Sequence, residues 1–303
     1  MAEIIQRDGT WTFDGGTLRL VPGRDKGVSL LRRTLGELTV PLAAVAGVSF
    51  EPGRKSGRLR LRLREGADPL LQAAGGHLTD GGDPYQLGVD TDRGGVAEYF
   101  VDEVRNALLL DEVPSGPTDA YLLAGPAVPL SVQAGDGTAS FDGEHVRLEW
   151  NWKTEEAKAA AGTRSMPVDT IQAVEWQPSA GLENGFIRFM LKNVPATKAP
   201  PKYDPHAVVL WGFRKDPLMA LIAAAVQARL RHPGDSVTRG NAPRDAAAPA
   251  LAKAEPPPPA QGPTEDDHDA LLRRLRELGE LRQAGVLTEE EFTSAKQAVL
   301  RRM

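Results

Sequence analysis

The chain repeats itself, and this constrains its fold more than any other feature. Asp8-Gly9-Thr10-Trp11-Thr12-Phe13-Asp14-Gly15 recurs as Asp136-Gly137-Thr138-Ala139-Ser140-Phe141-Asp142-Gly143, with six of eight positions identical. The match runs on in register through Leu18-Arg19-Leu20 and Val146-Arg147-Leu148, then through Pro41, Val45, Val48 and Pro52 against Pro167, Ile171, Val174 and Pro178. Gly57 to Leu63 then aligns with Gly185 to Leu191, and Asp83-Pro84 with Asp204-Pro205. Order kept over such a length means a duplicated unit, so both copies must take one fold. A chain of 303 residues has room for both, because single domains cluster at roughly 100–150 residues.

Within a copy, short alternating or β-branched runs are divided by Gly, Pro, Asn and Asp, which reads as strands and turns. Examples are Gly16 to Val21, Leu38 to Pro41, Val45 to Phe50, Arg58 to Arg64 and Tyr85 to Val89. Only the last segment changes period: Val96, Phe100, Val101, Val104 and Leu108 recur at helical spacing, as do Leu218, Leu221, Ile222 and Val226 in the second copy. The expectation is a mainly β protein with some α. Residues 1–112 and 126–232 each form a curled antiparallel barrel or sandwich closed by one C-terminal helix, a pleckstrin-homology-like arrangement. Residues 233–264, rich in Pro and Ala and including Pro256-Pro257-Pro258-Pro259, hold almost nothing to bury and read as a disordered, extended tether.

Residues 265–303 read as a helical hairpin. Leu271, Leu275, Leu278 and Leu281 share one helix face, the helix stops near Gly285, and a second begins at Thr288-Glu289-Glu290-Glu291. That restart is a capping box, with Leu287 placed to staple onto Phe292 and with Ala295 and Val299 facing the leucines. The run Gly285-Val286-Leu287-Thr288, Glu290-Glu291-Phe292, Lys296 and Leu300 resembles the short C-terminal domain family, SHOCT. With that tail, the two repeats resemble the actinobacterial domain-of-unknown-function family 4429, a resemblance that brings no catalytic motif. A unit below about 40 residues buries too little to stand alone and needs metal, disulfide or association. Without cysteine, association remains, so the expectation is self-assembly or docking on a protein partner through Leu271, Leu275, Leu278, Leu281, Leu287, Phe292 and Val299. The plainer alternative folds the hairpin back on its own repeats.

Composition excludes several classes. A net charge of -5 argues against a surface given over to nucleic acid, and no nucleic-acid partner is expected. The absence of cysteine removes disulfides and thiolate chemistry and fits a reducing compartment. Neither a secretory signal nor a membrane-spanning stretch is visible, so a cytoplasmic location is expected, peripheral to the membrane at most. The five histidines, His77, His145, His206, His232 and His268, are scattered, so neither a metal nor another cofactor is expected. Asp8, Asp14, Asp136 and Asp142 precede or flank glycines as hairpin corners do, and catalysis by them is disfavoured. An enzyme is therefore not expected, although a cleft gathering His206, Asp204 and a basic residue would reopen the question.

The sharpest local feature is Arg54-Lys55-Ser56-Gly57-Arg58-Leu59-Arg60-Leu61-Arg62-Leu63-Arg64, whose alternation aims leucines inward and arginines outward from one strand. It reads either as a stripe for phosphates, anionic lipid or an acidic partner, or as a solvated edge strand whose charges prevent aggregation, the plainer choice. In the second copy Arg58, Arg60, Arg62 and Arg64 become Phe186, Arg188, Met190 and Lys192. Phe186 and Met190 on an outer face suggest cover by the other repeat, the tail or a partner, or else two isolated exposed residues. Lys192, Lys198 and Lys202 punctuate the loop that follows, and Trp150-Asn151-Trp152 adds rings, at least one of them for the core. The leading expectation is a binding or scaffold protein. The alternative is a peripheral binder of anionic lipid headgroups through residues 54–64, a weak membrane contact.

Overall fold

Strand alternation builds two sheets per repeat. The computed structural model describes residues 1–234 apart from 77, 80, 181, 182, 196 and 198, so Lys198, the expected tether from 235 onward and the hairpin with its seven apolar candidates lie outside the described residues. In the first repeat β1 (Ala2–Gln6), β2 (Gly9–Phe13), β3 (Thr17–Pro22), a short α1 (Leu30–Leu35) and β4 (Leu38–Pro41) lead into β5 (Val45–Glu51), β6 (Ser56–Leu63), α2 (Pro69–Ala73), β7 (Gln86–Asp90) and α3 (Gly94–Leu110). Strands β1 to β4 form one antiparallel sheet and β5 to β7 a second. The second repeat matches element for element: β8 (Leu130–Ala134), β9 (Gly137–Phe141), β10 (His145–Trp150), α4 (Glu156–Ala159) and β11 (Arg164–Pro167), then β12 (Ile171–Gln177), β13 (Gly185–Leu191), β14 (Ala207–Leu210) and α5 (Met219–Gln227). Among the described residues α2 alone of these helices and strands lacks a counterpart.

The repeated Asp-Gly motifs explain how the sheets close. Asp14 Oδ1 accepts from the amides of Gly16 and Thr17 at 3.0 and 2.8 Å, and Asp142 Oδ1 from those of Glu144 and His145 at 2.8 and 2.7 Å. These bonds hold both carboxyls below the usual carboxylate range. Asp8 and Asp136 do more than turn the chain. Each reaches across to the other sheet, accepting from the Gly88 amide of β7 at 3.2 Å and the Val209 amide of β14 at 2.8 Å. Each also pairs with a buried cation from the short helix after the third strand, Arg32 at 2.8 Å and Lys158 at 2.7 Å. Burial pulls the Lys158 ammonium below its ordinary pKa while Asp136 opposes the shift. Removing one member of a buried pair costs about 3–5 kcal/mol, a range that applies to Lys158–Asp136; with the Asp8 side chain 34% exposed, Arg32–Asp8 contributes less.

The terminal helices differ in kind. Helix α3 buries Ala97, Phe100, Val101 and Val104 and leaves its other side to solvent; Trp11 of β2 meets Phe100 with ring centroids 6.3 Å apart. Every residue of α5 is buried. A helix apolar all round needs cover on every side, and the first repeat supplies it: Leu31 of α1 with Leu70 and Ala73 of α2 join the core that contains α5. Gln227 Nε2 donates to the Tyr121 hydroxyl at 2.7 Å, and Tyr121 meets His232 edge-on at 4.7 Å. The repeats thus belong to one compact unit.

Two expectations need correction. A single helix per repeat was expected, but α1, α2 and α4 are also present, each too short for helical periodicity to reveal. The basic strand β6 is central, not an edge, since it pairs with β5 on one side and β7 on the other. Alternation reports that one face is buried and carries no information on the number of neighbours. Among the described residues no helix is long and apolar enough to cross a membrane.

Candidate anion-binding cleft

On β6 the residues Gly57, Leu59, Leu61 and Leu63 are buried while Arg58, Arg60 and Arg62 stand exposed on the outer face. On β5 the residues facing Arg60 and Arg62 are small, Ser49 and Gly47, while Gln86 of β7 flanks Arg60 on its other side and Arg58 lies between Glu51 and Gly88. The small β5 residues leave room above this part of the floor. Helix α2 and the turn after it supply a wall, and the result is a cleft of about 780 Å³ whose lining includes Arg60, Arg62 and Arg64, the exposed Glu65, Gln72, Gly75 and Gly76, Asp83 and Gln86.

The wall is held from beneath. Asp68 caps α2, accepting from the amides of Leu70 and Leu71 at 2.9 and 3.2 Å, and Pro69 occupies the first turn, where its missing N–H costs nothing. The buried Tyr85 hydroxyl donates to Asp68 at 2.7 Å. Burial pushes the Tyr85 hydroxyl well above, and the Asp68 carboxyl above, their usual values, so Tyr85 stays protonated as a donor. Asp68 and the phenol thus hold α2 in place.

What frees Arg60 is a neighbour. Asp83 Oδ1 accepts from the Tyr85 amide at 2.8 Å and Asp83 Oδ2 from the Gln86 amide side chain at 2.6 Å. Burial raises the Asp83 carboxyl, and the charge of Arg60 opposes this from a distance. In the second repeat Asp204 likewise accepts from the His206 amide at 2.9 Å, but Ala207 stands where Gln86 would be. There Arg188, the equivalent of Arg60, turns down onto Asp204 at 2.9 Å and donates to the Ala199 carbonyl at 2.9 Å. One repeat keeps its arginine for solvent and the other spends it on its own loop.

The remaining sequence candidates divide. Arg64 is a clasp: its guanidinium donates to the carbonyls of Gly116, Ala43 and Pro117 at 2.8, 2.9 and 3.1 Å, tying down the segment between repeats. Lys192 donates to the Asp169 carbonyl and is likewise structural. Lys202 is exposed over the Tyr203 ring at 4.6 Å, away from the cleft. Arg54 and Lys55 are exposed in the β5–β6 turn, and Arg58 lies beyond the cleft lining. Phe186 and Met190 are half-buried, with the Arg188 guanidinium 5.1 Å from the Phe186 ring centroid. The residue between them is thus tied to the repeat's own 192–206 loop. Trp150 donates its indole N–H to the Gly162 carbonyl at 2.8 Å and packs on Lys158, whereas Trp152 is exposed.

His206, Asp204 and Arg188 do come together, with His206 Nδ1 3.7 Å from Asp204 Oδ1. Asp204 is buried, accepts from the His206 amide and is ion-paired with Arg188, and burial lowers the His206 pKa despite Asp204. That grouping braces a loop. Among the described residues no cluster of three or more His, Asp or Glu has metal-holding geometry. Sequence reasoning missed Gln86 and α2; the Asp68-Pro69 pair, a cap followed by a helix-starting proline, was the available signal for the helix.

Fold and site define a duplicated, mainly β protein with an open basic cleft in one copy. The family described as Domain of unknown function (DUF4429) matches residues 11–105 and 139–227, and the chain belongs to that family. The Short C-terminal domain (SHOCT) matches residues 273–300, within the segment expected to form the hairpin. No curated protein matches the chain.

Proposed function

We propose that this is a non-enzymatic binding protein whose first repeat takes an oxyanion-bearing ligand, a phosphate or carboxylate group, over Arg60 and Arg62. The observation that carries the reading is the Gln86–Asp83 bond of the first repeat, which stands where the second has the Arg188–Asp204 ion pair and leaves Arg60, beside Arg62 on the same strand face, without a carboxylate partner at contact distance among the described residues. Guanidinium groups bind oxyanions in forked geometry, and the bonds are charge-assisted. The four-strand and three-strand sheets with a terminal helix support a pleckstrin-homology-like fold for each repeat. The short C-terminal domain serves as an assembly or docking tail for a protein partner, and the chain works in the cytoplasm.

The test is calorimetric titration of the full chain with inositol hexakisphosphate as a multi-anion probe. Loss of two charge-assisted bonds at about 1.5 kcal/mol each in Arg60→Ala/Arg62→Ala weakens binding roughly 100-fold, and binding by the wild type falls as salt rises. Equal affinity in the two proteins would remove the cleft from the account.

A further inference from the structure

The second repeat carries a group of exposed rings for which neither its core nor the arginine cleft has a use. Trp152 is 89% exposed and Phe213 56% exposed. The half-buried Trp211 meets Phe213 edge-on, ring centroids 6.0 Å apart. Lys153 Nζ lies 5.4 Å from the Trp152 ring centroid and 5.2 Å from those of Trp211 and Phe213. The rings therefore form one surface around a cation, and the exposed Arg214 and Lys215 follow directly.

This exposure is not slack in two loose loops. Asp216 Oδ2 accepts from the amides of Trp211, Gly212 and Phe213 at 2.7, 2.8 and 3.1 Å, fixing the turn after β14. Asn151 Oδ1 accepts from the Lys153 amide at 2.9 Å while Asn151 Nδ2 donates to the Gly135 carbonyl at 2.9 Å, fixing the turn after β10. Nor does the fold demand rings here. The first repeat enters the matching turn with the same bond, Gly23 N–H to the Asp8 carbonyl at 2.9 Å against Asn151 N–H to the Asp136 carbonyl at 3.1 Å. It then places Arg24-Asp25 where the second has Trp152-Lys153, and Asp90-Thr91-Asp92 where the second has Trp211-Gly212-Phe213. Matched positions after the paired strands are thus charged in one copy and aromatic in the other, and the turn after β14 is the longer, reaching α5 at Met219 where β7 passes to α3 at Gly94.

We propose that this surface docks on an anionic lipid membrane, with the rings of Trp152 and Phe213 entering the headgroup layer and Lys153, Arg214 and Lys215 meeting the lipid charge. Aromatic side chains favour the water–hydrocarbon boundary, and neighbouring cations are drawn to a negative leaflet. Rings held on two turn tips suit a soft, extended surface. Exposed Glu155 and Glu156 follow Lys153, and Lys202 stands near Glu155, so the local charge is only modestly positive and the contact is weak and salt-sensitive. The inference rests on this surface alone and is independent of the arginine cleft.

The experiment is co-sedimentation of the full chain with vesicles of phosphatidylcholine plus phosphatidylserine, against phosphatidylcholine alone, with tryptophan quenching by brominated acyl chains. The wild type binds the anionic vesicles and is quenched. Trp152→Ala/Phe213→Ala binds at least tenfold more weakly while its circular dichroism spectrum and thermal unfolding match those of the wild type, which shows that it is folded. Arg214→Glu/Lys215→Glu also loses vesicle binding and is folded by the same measures. A wild type that ignores both vesicle types overturns the proposal and leaves the rings to a protein partner. Vesicle binding lost in Arg60→Ala/Arg62→Ala but kept in Trp152→Ala/Phe213→Ala overturns it too, placing lipid at the cleft.

Discussion

Gln86 and Ala207 occupy the same place in the two repeats, paired across the sheet with Arg60 and Arg188. With that difference goes the partner of the Asp three residues earlier: Asp83 accepts from the Gln86 amide, whereas Asp204 pairs with the arginine. Gln86→Ala should therefore let Arg60 settle onto Asp83 and reproduce the second repeat's arrangement. The expected result is a fall of about tenfold in affinity for inositol hexakisphosphate, the equivalent of one charge-assisted bond of about 1.4 kcal/mol, with Arg60 and Arg62 still present. Unchanged affinity would mean that Arg60 is free for another reason. None of this was legible in the sequence, where Asp83-Pro84 and Asp204-Pro205 mark matched turns but nothing states which side chain serves them. By contrast, the recurring Asp8 and Asp14 were legible as corners, because an Asp next to Gly carries local turn chemistry. Their partners Arg32 and Lys158, distant in sequence, were not.

At the scale of elements, β6 announced itself through alternation: the buried leucines and exposed arginines are where the period placed them. Its central position and the cleft above it depended on α2, whose Pro-Leu-Leu-Gln-Ala is too brief to show a period. The same helix serves two ends, walling the cleft and covering α5 with Leu70 and Ala73. The all-round apolar sequence of α5 showed that it would be buried, but not that Leu31, Leu70 and Ala73 of the first repeat would supply part of the cover. Leu70→Ala opens a cavity at this junction and should cost about 2–5 kcal/mol in denaturant unfolding. A loss within about 0.5 kcal/mol, the range of surface substitutions, would mean that α2 packs on α5 without holding it.

Across the whole molecule, duplication gave two copies of one skeleton and freed their outer faces to diverge. The clamps at Asp8 and Asp136, the turns at Asp14 and Asp142 and the paired sheets are common property. The arginine cleft belongs to the first repeat, and the ring-bearing turns to the second. The repeat pattern made the shared skeleton legible, since identity between copies marks what the fold requires. Divergence alone does not say which altered face is functional; that needed the burial, pairing and loop geometry of each position. The most direct test of the central claim is a crystal structure of the full chain with inositol hexakisphosphate. The account predicts density for the probe over Arg60 and Arg62 beneath α2, and none over Arg188. Probe bound in the second repeat, or at the Arg54–Lys55 turn with the cleft empty, would contradict it.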